Sequence, residues 1–212
     1  MEENDILELA ANVIRQESEA VAGLANQLPV NFIQATRLLF ECKGHVIVSG
    51  SGTSHAVALR FAHLLSCCGT PAFFLHPGDS QHGAAGAVRP GDVLIALSKG
   101  GETTEVCFLA RVARKRGASV IAISEKAEST LAQNSDLVLT IQAPADVDPF
   151  GMVATGSSLF NSAFCDALCV ALLNLRGYTM DQFGETHPGG AVGKKLEVDR
   201  DESSLSGWKN AI

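Results

Sequence analysis

The spacing of apolar positions changes character along the chain. From residue 5 to 28, Ile6, Leu9, Val13, Ala20, Leu24 and Leu28 recur near the period of one helical face, with charged residues between them. Residues 31–42 repeat the pattern through Phe32, Leu38, Leu39 and Phe40, and Gly44 stands as the stop. Beyond that point, short β-rich runs alternate with helical ones. Strands are predicted at 46–49, 72–75, 93–97, 120–124 and 137–141. Helices are predicted at about 54–68, 103–116, 129–134 and 157–175. Strand alternating with helix is the signature of βαβ units and a parallel sheet. The strand runs are almost wholly apolar, as expected of strands covered on both faces. The reading is an α/β protein: a helical arm over 1–43, one domain over 44–198, and a polar tail over 199–212 that is expected to be disordered.

Composition narrows the function classes. A chain of 212 residues suits one domain, and 46% hydrophobic against 18% charged residues builds a core easily. The net charge of -7 opposes non-specific nucleic-acid binding, which needs a basic face. The acidic start MEENDILELAANVIRQESE lacks the basic opening and unbroken apolar core of a signal peptide. The longest apolar candidate, 163–175, contains Asp166 and Asn174 and falls short of the roughly 20 residues of a span. A cytoplasmic protein with no membrane partner is the expectation. Six cysteines form no CxxC pair and read as reduced, packed side chains rather than metal ligands.

In open α/β sheets, ligands sit outside the C-terminal ends of the strands. The loops there are SGSGTSH, HPGDSQHG, SKGGETTE, SEKAEST and QAPADVDPFGMVATGSS. Two share one grammar: a β-run ends in Ser, then come glycines, hydroxyls and a helix. Ser51, Gly52, Thr53 and Ser54 belong to the first, and Ser98, Gly101 and Thr103 to the second. Glycine allows close backbone approach, and a helix N-terminus adds positive partial charge, so a phosphate is the natural guest. The plain alternative is a Ser/Thr helix cap after a tight turn. Neither loop has the GxxxxGK[ST] form of a nucleoside-triphosphate site. His55 stands where a dinucleotide fingerprint would have its third glycine. Acid–base candidates lie nearby. Glu102 and Glu105 open the helix after Ser98, His76 and His82 flank a Gly/Pro loop, and His187 sits in ETHPGG. Asp146 and Asp148 lie in the long loop after the fifth strand.

With SGSGTSH, HPGDSQHG, SKGGETTE and ETHPGGAVGKKL on one sheet, the chain resembles the sugar isomerase (SIS) domain proteins. It resembles specifically the arabinose-5-phosphate isomerase family, over about residues 30–196. The resemblance implies a flavodoxin-like three-layer sandwich with a five-stranded parallel sheet. It also implies a homotetramer with active sites at subunit interfaces; longer relatives carry a pair of CBS domains after HPGG, and a single-domain form without them is the expectation for this sequence. The implied reaction interconverts D-arabinose 5-phosphate and D-ribulose 5-phosphate through a cis-enediol. No metal or redox cofactor is expected, because the cysteines lack ligand spacing and proton transfer through an enediol can proceed with side chains alone. Matching the family motifs makes Glu105, His82 and His187 functional residues and places Asp146 where a glutamate is usual. The phosphate would sit on Ser98, Gly101, Thr103 and the Ser51–Thr53 loop. Departures from the family pattern leave alternatives open. Thr53 stands where the family has lysine, Gly100 where it has serine, and TGSSL brings in Gly156 and Leu159. Either another cation substitutes, with Lys99 and His55 as candidates, or the substrate differs, or the domain binds a phosphosugar without turning it over.

Overall fold

The structure, a computed structural model, describes residues 2–201. The elements in chain order are α1 (Glu3–Leu24), α2 (Phe32–Glu41), β1 (Val46–Gly50), α3 (Thr53–Cys67), β2 (Ala72–Phe74), α4 (Pro77–Ser80) and β3 (Val93–Leu97). They continue with α5 (Thr104–Lys115), β4 (Ser119–Ser124), α6 (Thr130–Gln133), β5 (Leu137–Thr140), α7 (Gly156–Arg176), α8 (Met180–Thr186) and α9 (Gly190–Asp201). All five strands pair in parallel, in the order β2-β1-β3-β4-β5. This is the flavodoxin-like order, and its topological switch point falls between β1 and β3.

The two-residue period of the strands sorts the core into two layers. Val46 and Val48 of β1, Val93, Ile95 and Leu97 of β3, and Ile121 and Ile123 of β4 face α3 and α7, with Leu24 of α1 and Ala35 and Leu39 of α2 in the same cluster. Ile47, Leu94, Ala96, Val120 and Ala122 face the other way, onto Val106, Leu109 and Ala110 of α5 and Leu131 of α6. The sheet is therefore covered on both faces, which is why its strands read as apolar runs rather than as an alternating pattern.

Helix α7 corrects one expectation. Its 21 residues are apolar enough, by length and composition, to match a membrane span. In the structure its stripe of Phe160, Phe164, Leu168 and Leu172 is buried against the sheet layer and α1, α2 and α3. The C-terminal helices α8 and α9 were not predicted, because Gly177, Gly184, Pro188, Gly189, Gly190 and Gly193 interrupt the apolar period there. A local signal for α8 existed. Thr179 and Gln182 form a reciprocal capping box, with the Gln182 amide N–H donating to the Thr179 hydroxyl at 3.2 Å and the Thr179 N–H to the Gln182 side chain at 2.9 Å. Of the expected polar tail, residues 199–201 are the end of α9, and 202–212 lie outside the described residues.

Candidate functional site

Two helices open at the switch point on the α3/α7 face of the sheet. Gly52 turns the chain from β1 into α3 at φ 60°, a conformation that side chains with a Cβ rarely adopt. The start of α3 places the side chains of Thr53 and Ser54 at the cleft, with the His55 N–H bonded back to the Gly52 carbonyl at 3.0 Å and the helix N-terminus adding positive partial charge. The N-terminus of α7 arrives beside them. Between the two lies a polar cavity of about 40 Å³, lined by Thr53, Ser54, Leu97, Lys99, Ser157, Ser158 and Asn161 among others. That volume holds a few waters or one small polar group of a larger ligand.

Lys99 follows the end of β3 and continues the face of Ile95 and Leu97, so its side chain enters this cavity while Ser98 points to the opposite side. Its backbone is pinned at the end of β4, where the Lys99 carbonyl accepts from the Ser124 hydroxyl at 3.1 Å and from the Glu125 N–H at 3.0 Å. Its ammonium lies 3.0 Å from Asp148 and 4.0 Å from Glu125. Asp148 is buried, and its second oxygen accepts the Ser157 N–H at 2.9 Å. Burial acts to raise the Asp148 pKa, but the Ser157 hydroxyl and amide and the Lys99 ammonium outweigh it and hold the carboxyl below the usual carboxylate range. A depressed carboxylate contributes stability that is present above its unfolded value and is lost as pH falls through the lower folded value. Acidification below about pH 4 is therefore expected to lower the melting temperature. The Asp148→Asn variant should lose less on the same acid titration, and equal losses in the two proteins would show that this pair carries none of the acid sensitivity.

The SKGGETTE loop is organised differently. The buried Ser98 hydroxyl lies 2.9 Å from the Thr103 hydroxyl and accepts the Gly101 N–H at 3.2 Å, so the three expected phosphate ligands bond to one another. Gly101 has φ 70°, and a Cβ there would collide with Ser129. Gly101→Ala should cost at least roughly 1–3 kcal/mol, seen as a melting-temperature drop of several degrees; an unchanged melting temperature would mean that the loop repacks freely. Glu105 lies in the first turn of α5, half-buried, with no hydrogen-bond or ion-pair partner among the described residues. Glu102 is instead engaged, accepting from the Thr130 N–H at 2.9 Å and from its hydroxyl at 2.6 Å, and so holds the start of α6.

The remaining candidates are dispersed. His55 stacks on Phe74 at 4.5 Å and meets His76 edge-on at 5.2 Å. His76 caps α4 through the Gly78 N–H. His82 is exposed in the turn that follows. Asp146 is exposed and lines a separate shallow hollow with Gln16 and Glu19 of α1, away from Lys99. His187 lies beyond the far end of α7. That helix is about 31 Å long, and the Arg176 guanidinium at its C-terminus donates to Thr70 and to the Leu39 carbonyl, on the side where β2 begins. The seven residues of α8 return only about 10 Å, so His187 does not reach the Lys99 cavity of its own chain. Its ring stacks on Phe183 at 3.8 Å, and Nδ1 lies 2.9 Å from the Phe183 carbonyl and 3.0 Å from the Thr186 hydroxyl, leaving Nε2 for another partner.

Sequence reasoning thus identified Thr53, Ser54 and Lys99 as binding candidates, and the structure brings them together. It did not single out Ser157, Ser158 or Asn161, whose only signal is the run of hydroxyls opening α7. Among the described residues no group of three or more His, Cys, Asp and Glu side chains is placed to hold a metal. All six cysteines are unbridged, and burial pushes the Cys165 and Cys169 thiols far up, which keeps them unreactive.

Comparison with known proteins converges on one family. The SIS domain model matches residues 38–171. Arabinose 5-phosphate isomerase KdsD of Escherichia coli K12 is 38% identical over 192 residues, covering 91% of this chain and 58% of that protein. KdsD of Yersinia pestis is 36% identical over the same shares. The chain therefore spans somewhat more than half the length of these curated relatives. Among solved structures, a Listeria monocytogenes protein superposes with a TM-score of 0.86 at 32% identity, covering 89% of this chain and all of that one. An Escherichia coli CFT073 protein in complex with arabinose 5-phosphate superposes with a TM-score of 0.85 at 30% identity, covering the same shares.

Proposed function

Because the chain belongs to the SIS domain family, we propose that it is a sugar-phosphate aldose–ketose isomerase acting on D-arabinose 5-phosphate and D-ribulose 5-phosphate or a close analogue. The observation that carries the reading is the polar cavity at the β1/β3 switch point, where two helix N-termini, Thr53, Ser54 and the Lys99 ammonium converge. The relatives named KdsD and the neighbour complexed with arabinose 5-phosphate support the substrate class. The phosphate lies across the Ser51–Thr53 turn and the Ser98–Thr103 loop. Binding there requires the Ser98 and Thr103 hydroxyls to exchange their mutual bond for phosphate oxygens. A base removes the proton α to the carbonyl, and the electrons move onto the carbonyl oxygen as a cis-enediolate; the proton of the neighbouring hydroxyl passes to that oxygen, and the abstracted proton returns to the former carbonyl carbon, leaving the carbonyl one carbon along. Glu105, with its unengaged carboxylate, is the base. His82 and His187 assist ring opening or proton relay, His187 from a second copy. Asp146, exposed beside α1, acts only if a second copy completes its hollow. The Lys99 ammonium supplies the charge that Thr53 cannot, and His55, stacked on Phe74, shapes the entrance.

A homotetramer working in the cytoplasm, without metal or redox cofactor, completes the proposal. Exposed Ile6, Leu7, Leu9 and Ile14 on α1 support assembly, since an apolar helix face of that kind needs a covering surface. A second reading, a phosphosugar-binding sensor, is favoured by Thr53 standing where the family has lysine. Turnover of the purified protein on a panel of pentose and hexose phosphates decides between them. Conversion of D-arabinose 5-phosphate is the expected result, and tight binding with no conversion of any sugar would establish the sensor.

A further inference from the structure

The loop from β5 to α7 carries a buried carboxylate where an apolar side chain would be cheaper. Taking a charge out of water costs several kcal/mol unless good partners replace the water, and Asp148 has two. One oxygen accepts the Ser157 N–H at the start of α7, and the other meets Lys99 Nζ. The geometry is directional. Asp148 is 3% exposed and cannot turn, whereas the Lys99 side chain is 42% exposed and would otherwise sample many rotamers in solvent. Glu125 also attracts the ammonium, but at 4.0 Å and from a more exposed position, so Asp148 at 3.0 Å sets where it rests. A second observation marks the same loop as held in place. Phe150, two residues on, has φ 58° and is 87% exposed, a strained backbone for a bulky residue that makes little packing contact in return. The loop conformation that presents Asp148 is thus kept against local preference.

We propose that Asp148 is a positioning residue that fixes the Lys99 ammonium at the small polar cavity, where it reads the oxygens at the sugar end of a bound sugar phosphate. The inference rests on the phosphosugar reading and deepens it, placing the charge missing at Thr53 on a side chain from the next loop. A fixed ammonium does not have to reorganise when it meets an oxyanion, which is the advantage of a preorganised charge over a mobile one.

The test uses the ratio of affinities for D-arabinose 5-phosphate and inorganic phosphate. The second probe has no sugar, so any general gain in anion attraction on removing a carboxylate cancels in the ratio. Asp148→Asn keeps an oxygen for the Ser157 N–H and replaces the oxygen that holds Lys99 by an amide nitrogen, removing both the charge and the acceptor. The expected result is that Lys99→Met and Asp148→Asn each lower the ratio at least tenfold, and that the double variant lowers it no further, as for two residues acting as one unit. Circular dichroism and melting temperature confirm that each variant is folded. An unchanged ratio in either single variant, or additive losses in the double, overturns the inference. So does a wild-type protein that binds neither probe. A wild-type protein that binds D-arabinose 5-phosphate without converting any sugar would sink the isomerase reading alone, and the ratio would still decide the role of Asp148.

Discussion

Glu105→Gln is expected to reduce isomerase turnover by about 10²–10⁴-fold, the range typical of losing a positioned general base, with the substrate KM changed little. The substitution is nearly isosteric, so it removes proton affinity and charge and little else. Glu105 makes no hydrogen bond or ion pair to the described protein, so no structural partner is orphaned by the change. The neighbouring Glu102 is the control. Its carboxylate is tied to Thr130, so Glu102→Gln should weaken the start of α6 and lower the melting temperature while sparing the chemical step. Steady-state kinetics with both variants separates the two roles. Turnover by Glu105→Gln within threefold of wild type would assign the base elsewhere. Equal losses in both variants would mean that the α5 N-terminus acts only through its shape.

The second large effect concerns His187. Since it lies beyond the far end of α7 from the cavity, His187→Ala should abolish turnover only if a second copy brings the ring to the site. Complementation gives the expected outcome a sharp form. Glu105→Gln and His187→Ala, each inactive alone, are unfolded together, refolded and assayed. If each site takes Glu105 from one chain and His187 from another, random mixing leaves both intact in about a quarter of the sites of a symmetric assembly. Recovery near that fraction is expected. A mixture that assembles, as judged by light scattering, but stays inactive would remove His187 from the shared site. A monomeric wild-type protein would remove the shared site altogether.

Much of the architecture was legible from local chemistry. The change from a 3.6-residue apolar period to short, almost wholly apolar runs located the helices and strands of the sheet domain, because the central strands β1, β3 and β4 are buried on both faces and tolerate few polar residues. The runs of glycine and hydroxyls at strand ends marked the mouth of the sheet, because glycine permits the tight turn from strand to helix, as at Gly52 with φ 60°, and hydroxyls keep the helix start polar. The same rules failed from residue 177 onward. There α8 and α9 form despite Gly184, Pro188, Gly189 and Gly193, with a capping box rather than an apolar stripe marking the start of α8.

Within the site, the sequence by itself determined which residue types are available: two hydroxyl-rich turns, a carboxylate at a helix start and a lysine beside Ser98. Only the tertiary structure decided which of these groups meet. Strand alternation sends Ser98 and Lys99 to opposite faces of the sheet, so adjacent residues serve different neighbours. Asp146 and Asp148, two positions apart in one loop, part in the same way, one exposed near α1 and the other buried against Lys99. His187 follows a 21-residue helix that carries it away from the mouth. The physical reason is common to all three. Local sequence sets backbone preferences over a few residues, whereas the nearer ion-pair partner of Lys99, Asp148, comes from 49 positions later in the chain and depends on how α7 packs across the sheet.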